Sequence, residues 1–246
     1  MTERIAAIFS RIGEPEEVPP WSSLDVANAV SVLLISIILV GSAAAYLIFR
    51  DAPLAVLVGW IIGCLLSVLY DGYVLARQPE RRAALHLNVA YGIPVPLMML
   101  FGLGVAILID LMGRATTGLF ILTPELANAR QFGIVEWALA LVFMVGAQPI
   151  AEEIVFRGIL LPKARVWIGV WGATLFCSTT YALFHFLVYP PPTQDNSTYW
   201  FAFMMPLLAG AFFCLVRAYT SSTRAAILMH AAFGLFAVLR AFVLIS

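Results

Sequence analysis

Ala151-Glu152-Glu153-Ile154-Val155-Phe156-Arg157-Gly158 places two carboxylates and a guanidinium in a run that is otherwise largely apolar from Ile134 to Leu161. An ionised group inside a bilayer is expensive, roughly 2.5–3.5 kcal/mol by insertion measurements. Three of them within one helical stretch mark a polar site inside a membrane helix. The fold class follows: this stretch belongs to an integral membrane bundle, and its charges are there for a use.

Working outward, the whole chain agrees. Of its 246 residues 62% are hydrophobic and 11% charged, against about 25% charged in a soluble domain. The formal net charge is zero, so composition offers nothing to nucleic acid or to an acidic substrate. Cys64, Cys177 and Cys214 lie in apolar segments without metal-ligand spacing and read as buried packing residues. Residues 1–25 hold charges and prolines but no apolar core of a signal peptide.

A helix needs about 20 apolar residues to cross the hydrocarbon. Spans are expected near 26–49, 52–70, 87–112, 134–163, 170–189, 199–219 and 224–245. The expected fold is an all-α polytopic bundle of about seven or eight membrane helices, seven being the plain count. Three regions are expected: an interfacial N-terminal segment, 1–25; membrane helices without a motif, 26–133; and the helices carrying the polar motifs, 134–246. Residues 5–12 suit a short amphipathic surface helix, and 113–133 suits another interfacial helix. Gly59-x-x-x-Gly63 would permit close helix approach. Asp51, Asp71, Asp110 and Glu136 sit near span ends and are expected in water. Tyr and Trp at span edges read as interfacial anchors.

Orientation follows from Lys and Arg. With the N-terminus in the cytoplasm, ten of the 14 basic residues fall on the inner side. Arg50, Arg114, Arg130 and Arg240 fall outside. Setting aside Arg157, which lies within a span, leaves nine against four.

Of three histidines, His185 and His230 lie in later spans, and His86 at an inner boundary. If spans four and five form an antiparallel hairpin, residues at equal depth are equidistant from its turn. The midpoint of 152 and 185 is 168.5, inside Trp167-Ile168-Gly169-Val170-Trp171-Gly172, where glycine permits a turn. Glu152 lies eleven residues from Lys163, about 16 Å along a helix. His230 lies eight residues beyond Ser222, about 12 Å. Glu152, His185 and His230 are therefore expected at one depth, open to the inner side. Glu153 and Arg157 are spaced i, i+4 with the acid first, the favourable order for a pair. Glu152 points about 100° away and is left to face His185. A carboxylate and an imidazole converging on one water make a general-base site. A second imidazole could donate to an oxyanion. Peptide hydrolysis is a natural use of that set.

These residues resemble a known signature. Glu152-Glu153-x-x-x-Arg157, Tyr181-x-x-x-His185 and His230-x-x-x-Gly234 on successive membrane helices resemble the CPBP family of CAAX prenyl proteases and bacteriocin-processing proteins. That family includes the type II CAAX endopeptidases. The likeness spans about residues 140–240, with Tyr181 where Phe is usual and Gly234 where Asn is expected. The resemblance implies that Glu152 and His185 activate water, that His230 binds the oxyanion, and that Glu153 and Arg157 support them. It implies either no cofactor, the preferred reading, or zinc held by Glu152, His185 and His230 with an open water position. The implied partners are a membrane-associated, CAAX-like peptide or protein substrate and membrane lipid, near the cytoplasmic face of a bacterial or archaeal inner membrane. The other reading is a catalytically weakened scaffold or immunity-type protein that binds another membrane protein.

Overall fold

In the computed structural model the described residues are 2–49, 53–88, 92–120, 122–189 and 196–245. Arg50 and Asp51 lie outside them. Among the described residues all regular structure is helical. Helix α1 (Thr2–Ile12) is amphipathic and exposed except for Ile12. Helix α2 (Ser23–Phe49) starts at a capping box: Ser22 Oγ accepts from Asp25 N, and Asp25 accepts from Ser22 N. Helix α3 (Pro53–Leu75) returns across the membrane, and α4 (Pro79–Ala84) is a single short helix. Helix α5 (Val95–Thr117) ends at Gly118, whose φ of 74° suits a left-handed helix stop.

The stretch Ile134–Val188 is continuously helical for 55 residues, which at 1.5 Å per residue is far longer than a bilayer of about 30 Å. It turns back at Gly169, where φ is 68° and ψ 174°, a backbone that glycine alone adopts without strain. Its two arms are α6 (134–168) and α7 (170–188). Helices α8 (Ser197–Thr220) and α9 (Thr223–Ile245) follow. Among the described residues six helical stretches are long and apolar enough to cross, and one of them is this hairpin, so that counting its two arms separately gives seven. The turn falls inside 167–172, as expected.

The glycine pair on α3 does bring backbones together. A Cβ on Gly59 would lie 2.8 Å from Gly41 Cα, and one on Gly63 2.7 Å from Ile37 Cα. Helices α2 and α3 cross there because neither position carries a side chain.

One end of the bundle is laced by the N-terminal segment. Arg11 donates to Tyr219 O (2.8 Å), and Lys163 to Trp21 O (2.8 Å). Glu16 pairs with Arg165 and, at 2.9 Å, with the buried Arg217. His86 sits at this end too, its Nδ1 2.8 Å from Ser221 O, away from the other histidines.

Three expectations are corrected. Residues 122–133 form two single 3-10 turns, Pro124–Leu126 and Ala129–Gln131, rather than an interfacial helix; Leu126 and Ala129 are buried and hold the segment against the bundle. Asp110 is buried and accepts from Arg240 Nε at 2.9 Å. Asp71 is 1% exposed. Both aspartates lie on inward helix faces, which outweighs their closeness to a span end.

Candidate active site

The Glu152–Arg157 stretch runs from an α turn into a π-wound segment, Ile154–Leu160. Such local widening of a helix is frequent at functional sites. All of Glu152, Glu153 and Arg157 are fully buried. They face two ways, as the helical offset requires.

Glu153 faces α8 and α9. Its Oε1 accepts from Arg157 Nη1 and lies 2.9 Å from both that atom and His230 Nδ1. Arg157 Nη2 donates to Gly210 O on α8 at 2.9 Å, and its guanidinium stacks 4.5 Å from the Tyr181 ring centre. One arginine thus spans α6, α7 and α8. The ring of His230 stacks on Phe213 with centroids 4.9 Å apart, so both its plane and its Nδ1 are fixed.

Glu152 faces α7. Its Oε2 lies 3.1 Å from His185 Nε2 and 4.0 Å from His230 Nε2. The Tyr189 hydroxyl donates to Oε1 at 3.3 Å, and the Tyr181 hydroxyl lies 3.4 Å from His230 Nε2. The two halves of the hairpin and α9 therefore bring Glu152, Glu153, Arg157, His185 and His230 into one cluster.

Two members of this cluster, Tyr189 and Glu125, escaped the sequence reading, and Tyr181 was read only as part of a motif. Tyr189, at a span edge, looks like an interfacial anchor but is 1% exposed and bonded to Glu152. Its spacing gives a usable signal, because 181, 185 and 189 repeat at i, i+4 on one face. Tyr181 carries a hydroxyl into the site where the usual Phe would not. Glu125 reaches His185 from the segment before α6, its Oε1 3.4 Å from Nδ1; nothing in its spacing reveals this.

Beside the histidines lies a cavity of about 70 Å³, lined by Gln148, Tyr181, His185, His230 and Glu125 among others. Its lining is mostly apolar, with these polar side chains among it as partners for water, and it is far smaller than the roughly 300 Å³ or more of a ligand pocket. A peptide therefore needs the helices to part. The lining continues to Asp110 and Arg240, and Arg240 lies ten residues beyond His230, away from the α8–α9 turn. The cavity thus extends to the end of the bundle opposite the N-terminal lacing. The expected opening on the N-terminal side is corrected, because that end is closed by Glu16, Arg165 and Arg217.

Gly234 is not an empty place where an amide has been lost. A Cβ there would lie 2.6 Å from the Met144 carbonyl carbon. Residues 143–147 are π-wound, and the backbone of α6 fills the space that a side chain at 234 would need.

Glu152 Oε2 has His185 Nε2 at 3.1 Å and His230 Nε2 at 4.0 Å; among the described residues no group of three or more His, Cys, Asp or Glu is spaced to hold a metal ion.

Residues 134–236 match a family model described as type II CAAX prenyl endopeptidase Rce1-like. No curated protein and no solved structure matches the chain. The matched segment begins at the first residue of α6 and holds both acids, the arginine and both histidines on the helices just described. By its motifs and by this match, the segment 134–236 is similar to the Rce1-like type II CAAX prenyl endopeptidases.

Proposed function

We propose that the protein is an intramembrane endopeptidase that hydrolyses a peptide bond of a membrane-associated, CAAX-like substrate by metal-free water activation. The observation that carries this reading is the 3.1 Å contact between Glu152 and His185, facing His230 beside a buried cavity. In this reading a water takes the place beside Glu152 and gives it a proton as its oxygen adds to the scissile carbonyl. The proton then passes to the departing amine, and His185 holds the carboxylate in line for both transfers. His230 donates through Nε2 to the oxyanion. It already gives Nδ1–H to Glu153, so it does this as an imidazolium balanced by that carboxylate. The Tyr181 hydroxyl supplies a second donor, the part that Gly234 cannot play. Glu153 and Arg157 fix the ring of His230 and the face of α6. In this reading the protein sits in a bacterial or archaeal inner membrane with its N-terminus in the cytoplasm, the side the charge bias favours, and the cavity faces the opposite leaflet. The membrane lipid that packs α1 to α9 is the remaining partner.

Purified protein in liposomes, with a fluorescence-quenched farnesylated CAAX peptide, tests the reading. Glu152→Gln and His185→Ala each reduce cleavage by about a hundredfold or more, and a chelator leaves it intact. Unchanged cleavage by either variant removes the mechanism; loss with chelator and return with zinc removes its metal-free form.

The filled space at Gly234 favours a second reading, a scaffold that binds another membrane protein. It is distinguished by a wild-type protein that cuts no peptide and a phenotype that survives Glu152→Gln.

A further inference from the structure

We propose that Glu125 is a positioning residue of the site, holding Nδ1 of His185 so that Nε2 is turned to Glu152. The inference rests on the reading of Glu152 and His185 as the water-activating pair.

The observations are geometric. Glu125 Oε1 lies 3.4 Å from His185 Nδ1, while Glu152 Oε2 lies 3.1 Å from Nε2 on the other side of the ring. Both side chains of the Glu125–His185 pair are buried. The carboxylate sits on the 3-10 turn Pro124–Leu126, where Leu126 N donates to Thr123 O (2.9 Å) and Ala127 N to Pro124 O (3.2 Å). Leu126 is 1% exposed, so the turn is anchored beside the acid. A glutamate of a connecting segment that is buried against a histidine of a membrane helix has little solvent to satisfy it. The contact with His185 is its reason for being there. Glu125 lies before residue 134, outside the segment that the family match covers.

A proton count gives the contact its chemical meaning. An imidazole has two nitrogens, and which one keeps the proton is set by the bond the other makes. With the Glu125 carboxylate 3.4 Å from Nδ1, a proton on that nitrogen is the favoured arrangement. A single further proton is then shared across the Nε2–Glu152 contact: either the ring is an imidazolium between two carboxylates, or a neutral ring faces a protonated Glu152. When Glu152 takes the proton from water, the shared proton settles on Nε2, and the pair then holds two protons as an imidazolium beside a carboxylic acid. Without Glu125 the ring is free to take the other tautomer, with Nε2–H donating to an ionised Glu152 and Nδ1 bare. The positive charge that Glu125 and Glu152 together support on the ring would then rest on Glu152 alone.

The nitrogen-15 resonances of the imidazoles report the tautomer directly and need no turnover. With three histidines in the chain, the His185 signals are assigned by their loss in His185→Gln. Uniformly labelled full-length protein in lipid nanodiscs is expected to show Nδ1 of His185 protonated. Glu125→Gln, which keeps an acceptor, retains that pattern. Glu125→Ala shifts Nδ1 to the unprotonated form and lowers kcat for the farnesylated peptide about tenfold to a hundredfold, with KM held. A bare Nδ1 in the wild type overturns the proposal, and so does an unmoved His185 pattern in Glu125→Ala. The wild-type spectrum decides the matter even where Glu125→Ala does not fold. If Glu125→Ala moves the His185 signals while no form of the protein cuts a peptide, the positioning contact stands and the proteolytic reading fails.

Discussion

Gly234 on α9 packs so closely on Met144 that a Cβ would sit 2.6 Å from its carbonyl carbon, with the carbonyl oxygen nearer still. The contact sets the distance between α9, which carries His230, and α6, which carries Glu152. Restoring the usual asparagine is therefore expected to harm. Gly234→Ala should cost about 1–3 kcal/mol as overpacking of a close-packed interior, and Gly234→Asn more, with cleavage falling in both. Thermal unfolding in detergent, read beside the peptide assay, checks this. A more active Gly234→Asn protein of unchanged melting temperature would mean that the helices can part at no cost.

Arg157 is fully buried and bonds Glu153 and Gly210 O at once. Removing one partner of a buried pair leaves a bare charge, a loss of about 3–5 kcal/mol. Arg157→Met is expected to unfold easily or fail to accumulate. Arg157→Met combined with Glu153→Gln should recover part of that loss, because no ion is then left alone. Arg157→Lys should also be weak, since one ammonium cannot serve two acceptors on two helices with the same planar geometry. The melting temperatures of these variants form a double-mutant cycle whose coupling should exceed 1 kcal/mol in magnitude, about the middle of the range for residues in one network.

The parts of the fold that the sequence made legible are those governed by local rules. The Gly169 turn was readable because a 55-residue apolar helix cannot fit a bilayer and one glycine sat at the right midpoint. Gly59 and Gly63 were readable because a helix face without side chains invites a neighbour. The Glu153–Arg157 pair follows from i, i+4 spacing. Glu125, Tyr189 and the Met144–Gly234 contact were not legible in the same way. The first depends on how an irregular segment folds back, and the second on a side chain turning inward at a span edge. The third depends on one helix approaching another across 90 residues of chain. The direction of the cavity was misread for a related reason: depth counted from Lys163 and Ser222 was taken as access from that end, where Glu16 pairs with Arg165 and Arg217.

Tyr181 offers a test that separates chemistry from packing. Its ring lies under Arg157 and beside His185, and its hydroxyl lies 3.4 Å from His230 Nε2. Tyr181→Phe keeps the ring and removes only the hydroxyl. If that hydroxyl donates to the oxyanion, kcat should fall roughly 10²–10³-fold with KM little changed, at an unaltered melting temperature. Tyr189→Phe removes a bond to the ground-state carboxylate instead and should cost less. Equal, small losses in the two variants would leave His230 as the sole donor.

Sidedness can be read from two exposed positions at opposite ends of the bundle. Ser10 lies on α1 and Asn128 between the two 3-10 turns. The native cysteines are all buried, so an introduced thiol dominates labelling by a membrane-impermeant maleimide. In inverted membrane vesicles Ser10→Cys should label and Asn128→Cys should not; in right-side-out spheroplasts the pattern should reverse. That outcome puts the N-terminus in the cytoplasm, as the nine-to-four charge bias requires, and turns the cavity to the far leaflet. The opposite pattern would set the charge bias aside and open the site to the cytoplasm without altering a single contact within it. Either result fixes the side from which a substrate must approach His185 and Glu152.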